Sequence, residues 1–102
     1  MSFNGNEGET ITLTEGSELT AKYRAVDPNT TKAAFMGRNL LEQILAQPDC
    51  MGIRVYYGAY NDGTNTLVFV GADRNGNDML DIIANKGSLC PQVCGSKNGL
   101  NS

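Results

Sequence analysis

Apolar residues recur every three or four positions in the first half of the chain and every second position in the second half. That change of period predicts helices followed by strands. Leu19, Tyr23 and Val26 form one apolar stripe, so a helix is expected over 13–26. Thr12-Leu13-Thr14-Glu15 fits a capping box at its start, with Gly16 weakening the first turn. Asp27-Pro28 ends that helix and supplies an N-cap and first position for a second, expected over 29–47. Phe35, Met36, Leu40, Leu41, Ile44 and Leu45 give the second helix a broad apolar face, and Pro48 ends it. Gly37 on that face suggests close helix packing.

From Ile53 to Tyr60 the period becomes two: Ile53, Val55 and Tyr57 alternate with Arg54, Tyr56 and Gly58. Asn61-Asp62-Gly63-Thr64-Asn65 is turn chemistry, and Thr66–Ala72 is a second strand, so the two form a β-hairpin. Both faces of the second strand are apolar, which predicts a central strand. Met79–Ala84 fits a third strand or a helical turn. A hairpin alone is marginal in water, so helices must cover it. The expected fold class is α+β, with two N-terminal helices packed on a small antiparallel sheet in two layers. Residues 1–10 are expected to form a flexible or partner-dependent tail, 11–84 a single α+β domain, and 85–102 a Gly/Asn/Cys-containing C-terminal tail.

Composition narrows the function. The chain has 102 residues, enough for one domain and a modest core. Its net charge is −3 and it contains no Lys/Arg cluster, which argues against nucleic-acid binding. No apolar run has the length of a membrane helix, and the opening residues lack the basic and apolar regions of a signal peptide. The expected location is therefore cytoplasmic. Histidine is absent, which removes the commonest general base and the commonest metal ligand. No nucleophile–base pair, no spaced carboxylate pair and no phosphate-cradling glycine loop is visible, so no enzymatic activity is expected.

Three groups remain as candidates. Asp73, Asn75, Asn77 and Asp78 place oxygen ligands in a short loop, as calcium requires. The EF-hand pattern fails in detail: Gly76 precedes Asn77 instead of following it, and Ala84 stands where the bidentate Glu belongs. An Asx-rich turn is the preferred reading. Cys90 and Cys94 form a C-x₃-C pair, and Cys50 is a third thiol. Zinc would need a fourth ligand such as Asp49, and an odd cysteine count favours free thiols over a local or Cys50-linked disulfide. Arg54, Tyr56 and Tyr60 share one strand face, and Arg and Tyr are favoured at interface hot spots. No cofactor is expected, with calcium and zinc as the only alternatives.

Three stretches together resemble a group of short, uncharacterised proteins of Bacteroidota genomes. They are Ile11–Arg24, Met51–Tyr56 with Val68–Asp73 and Asn77-Asp78, and Cys90-Pro91 through Cys94-Gly95 with Asn98. The resemblance implies a bacterial cytoplasmic protein and assigns no role to any residue.

Missing catalytic types and a strand apolar on both faces lead to one expectation: a non-enzymatic module for protein interaction or self-assembly, its partner another copy or another protein. The alternative is a small-ligand or metal-binding protein using the Asp73–Asp78 loop, the cysteines or the Arg54/Tyr56 face.

Overall fold

The Thr12 hydroxyl accepts from the Glu15 backbone N–H at 3.1 Å and donates to Glu15 Oε1 at 3.1 Å. The capping box therefore closes through the hydroxyl, and helix α1 runs Leu13–Val26. The structure, a computed structural model, describes residues 2–102. After α1 come β1 (Ala33–Phe35), α2 (Arg38–Leu45), β2 (Cys50–Ala59), β3 (Asn65–Asp73), β4 (Asp78–Ala84) and β5 (Ser88–Cys90). The fold is α+β, with two helices and two small antiparallel sheets.

The second helix is shorter than the sequence predicts. Asp27 closes a turn by accepting from Asn29 N and Thr30 N. The chain is then drawn into an extended path, with Lys32 N donating to Cys90 O and Ala33, Ala34 and Phe35 facing Cys90, Leu89 and Ser88. Thr30 and Thr31 also bond to Asn65, which ties the turn before β1 to the start of β3. Gly37 is the N-cap of α2 with open space where its Cβ would be, so it marks a helix boundary and not a close helix contact.

The larger sheet has the order β2-β3-β4, with β3 central as its two-sided apolar pattern requires. β2 and β3 pair Ile53 with Gly71, Val55 with Phe69 and Tyr57 with Leu67. Between β3 and β4 the register jumps: Gly71 faces Met79 while the adjacent Val70 faces Ile83, leaving Leu80, Asp81 and Ile82 outside the ladder. The second sheet, β1-β5, ties residues near the C-terminus to the link between the helices.

Among the described residues, α2 is the helix packed on the three-stranded sheet. Ile44 is fully buried, and a Cβ on Gly71 would lie 3.2 Å from Ile44 Cγ2 and 3.0 Å from Cys50 Sγ. The lack of a side chain at Gly71 is what lets helix and sheet approach. By contrast α1 buries no residue, which corrects the expectation of two helices on the sheet. It packs instead against the C-terminal segment, where Arg24 Nη1 donates to Leu100 O at 2.7 Å.

The resulting core is small. Ile44, Val70, Ala72, Ala84 and Cys90 are its buried hydrophobic residues, while Val26, Phe35, Tyr57 and Leu80 are among the large apolar side chains left exposed. The accessible surface is 7443 Å², roughly a third above the ~5,600 Å² usual for a lone folded chain of this mass. The radius of gyration, 15.0 Å, likewise exceeds the ~13 Å of a compact chain of this length.

Candidate functional site

Arg54 and Tyr56 leave β2 on one face and converge on Asp78, the first residue of β4. Arg54 Nη1 donates to Asp78 Oδ1 at 2.6 Å and to Gly76 O at 3.0 Å, and the Tyr56 hydroxyl donates to Asp78 Oδ2 at 2.5 Å. The Arg54 and Asp78 side chains are a quarter to a third exposed. Tyr56, and then Arg54, hold the Asp78 carboxyl below its ordinary pKa. The hydrogen bond given to Asp78 raises the pKa of Tyr56, and the same carboxylate raises that of Arg54. Both carboxylate oxygens are engaged and the guanidinium is already neutralised. The group acts as a clamp from β2 across β3 to β4, with Phe3 stacked 5.6 Å from the guanidinium carbon.

Tyr60 stands apart from this pair. Its hydroxyl donates to Asn85 Oδ1 at 2.9 Å, and Asn85 Nδ2 donates to Leu67 O at 2.7 Å and Thr66 Oγ1 at 3.2 Å. Thr66 is the one buried polar residue among those described, so this network satisfies the far end of the sheet. Nothing in the local sequence around Asn85 marks it for this role; only the fold brings it beside Thr66.

The Asp73–Asp78 loop is held by its own backbone. Asp73 Oδ1 accepts from Asn75 N at 2.9 Å and Asn77 N at 3.0 Å, and Gly76 adopts φ +83°. Asp78 faces Arg54 and Tyr56, so the four oxygen-bearing residues do not converge on a common point. Among the described residues no three acidic or thiol groups gather at metal-binding distance.

Cys90 and Cys94 are joined in a disulfide, which corrects the expectation of free thiols for that pair. Cys50 is free, half-buried at the start of β2, with its thiol directed to Gly52 O at 3.3 Å. Asp49 is engaged in an ion pair with Arg74.

A further concavity lies elsewhere, between α1 and the turn end of the β2–β3 hairpin. This cleft of about 590 Å³ has Leu19, Tyr23, Ala33, Tyr57 and Leu67 among its walls. Arg24 and Lys32 also line it, and no Asp or Glu does. Sequence reasoning missed it because its residues come from five separate stretches; the one visible signal was the Leu19/Tyr23 stripe.

Comparison with protein-family models, with curated proteins and with solved structures finds no match to this chain. No helix among the described residues is long and apolar enough to cross a membrane.

Proposed function

We propose that the chain is a self-assembly module whose β2 edge pairs with a second copy. The observation that carries this reading is the excess of exposed surface. The excess over a lone folded chain is about 1,900 Å², roughly twice what one partner contributes to a standard interface. A monomer that leaves side chains such as Val26, Phe35, Tyr57 and Leu80 in water forgoes the main favourable contribution to folding at those positions.

The β2 edge is the part best suited to pairing. It is the longest strand and is hydrogen-bonded on one side only, by β3. Among the described residues no other segment makes backbone hydrogen bonds to Met51–Ala59. Val55, Tyr56 and Tyr57 are exposed in succession, at 42%, 46% and 93%. The usual protections of a free edge, Lys and Pro, are absent from this strand, and its one charge, Arg54, is already paired. Edge-to-edge pairing would satisfy this row of amides and carbonyls and cover the aromatic rings together.

Light scattering on untagged protein tests the reading. The expected result is a species well above 10.9 kDa that Val55→Lys and Tyr57→Lys shift toward the monomer mass. A monomer at every concentration up to ~1 mM would overturn it, since affinities weaker than that lie outside the range of specific assembly.

A further inference from the structure

The cleft beside α1 has a property that the surrounding molecule does not share. The chain as a whole is acidic, with a net charge of −3. The cleft has two cationic side chains, Arg24 and Lys32, and no acidic ones. Neither cation takes part in an ion pair among the described residues. Both point to one place. Arg24 Nη1 donates to Leu100 O at 2.7 Å and Lys32 Nζ to Asn101 O at 3.3 Å, which are consecutive peptide units of one segment. Two positive charges therefore stand together at one end of the concavity.

The remaining walls are of the opposite kind. Leu19 and Tyr23 of α1 face the cleft at a four-residue interval, 61% and 48% exposed. Tyr57, Gly58 and Leu67 form the sheet side, and Ala33 and Leu100 complete the apolar lining. The volume falls within the ~300–1,000 Å³ range of small-molecule sites. It also explains why α1 carries an apolar stripe yet buries nothing: the stripe faces a space and not a neighbour.

We infer that this cleft binds a small amphiphilic anion, an aliphatic or aromatic body carrying a carboxylate or an equivalent acidic group. The head lies between Arg24 and Lys32, where charge-assisted hydrogen bonds are available from donors lacking a counter-ion. The tail runs between the Leu19/Tyr23 stripe and the Tyr57/Leu67 wall. This site borders the β2 edge proposed above, with Tyr57 common to both, but does not require that pairing.

Decanoate below its micellar range is a suitable probe, with decyltrimethylammonium as the same chain carrying the opposite charge. Amide chemical shifts report the position. Decanoate is expected to saturate at one molecule per chain, with shifts gathered on Ala33, Gly58, Thr66 and Leu67. Arg24→Gln and Lys32→Gln should each weaken it by about tenfold, the loss of one charge-assisted hydrogen bond. Because Arg24 also anchors the C-terminal segment, Leu19→Ala gives a second reading: that side chain lies on α1, away from the β2 edge, and is 61% exposed, so its removal leaves the fold intact while thinning the apolar wall, and decanoate should weaken severalfold. Absence of saturable binding into the millimolar range overturns the inference, as does equal binding of the cationic analogue. So does a cleft found protected by a second copy, with the shifts appearing on self-association and not on adding decanoate. Parallel mass measurements separate this outcome from the β2-edge reading, which decanoate should leave unchanged.

Discussion

The Tyr56 hydroxyl on β2 reaches across the central strand to Asp78 Oδ2 on β4, joining the two outer strands of the sheet. Arg54 grips the other oxygen of the same carboxylate. In a domain whose one fully buried large side chain is Ile44, such a polar tie carries a share of the organisation that a larger core would carry elsewhere.

Its pH dependence has a definite sign on each side. The folded pKa of Asp78 is lowered, so its contribution is complete above the unfolded carboxyl value of ~3.9 and is lost as pH falls through the folded value. The folded pKa of Tyr56 is raised, so its contribution is complete below the unfolded phenol value of ~10 and is lost as pH rises through the folded value. Melting temperatures from pH 2 to 11 should therefore fall at both ends. Asp78→Asn should flatten the acid limb and Tyr56→Phe the alkaline one, with Asp78→Asn the more damaging at neutral pH because it also strands Arg54. Unchanged limbs in both variants would contradict the clamp.

Ile44 and Gly71 test the helix–sheet contact. Ile44→Ala should cost about 2–5 kcal/mol, the usual range for emptying a buried aliphatic site. Gly71→Ala should cost about 1–3 kcal/mol, since the new methyl would crowd Cys50, Gln47 and Ile44 together. Urea unfolding measures both. Gly52→Ala is the control, because nothing lies within contact of its Cβ position.

The Cys90–Cys94 bond closes a short loop beside the β1-β5 sheet, with Cys90 itself buried. Reduction should lower stability by about 2 kcal/mol on the loop-closure scale. Cys94→Ser should reproduce that loss and abolish any further response to reductant, as thermal melts with and without reductant would show. Non-reducing peptide mapping should recover residues 90 and 94 linked and Cys50 free.

The cap on α1 is local in effect because the helix buries nothing. Thr12→Ala should cost about 1 kcal/mol of helix stability. Hydrogen exchange in the first turn of α1 should then quicken by about fivefold, while amides around Ile44 and Val70 keep their protection. A matching loss of protection in the sheet would show that α1 and the sheet unfold together.

Some of this molecule is legible position by position. The Thr12–Glu15 cap, the end of α1 at Asp27, the hairpin and the central place of β3 follow from interactions between near neighbours or from strict alternation, and local chemistry decides those. The 29–47 stretch shows where that stops. Its apolar residues keep a helical interval, but Lys32 and Ala33 pair with Cys90, and no periodicity can reveal a partner so distant in the chain.

The candidate sites divide in the same way. The residue types at Arg54 and Tyr56 were visible as a strand face, whereas their common acceptor, Asp78, emerges only once β4 returns alongside β3. Arg24 and Lys32 carry no signal in sequence, being two isolated cations in an acidic chain. Their convergence on Leu100 and Asn101 depends on the C-terminal segment folding back over α1. The sequence by itself determined the periods, caps and turns, because these are set within a few residues. The tertiary structure alone decided which apolar faces meet and which stay open, because burial depends on contacts between segments that the chain order does not place side by side.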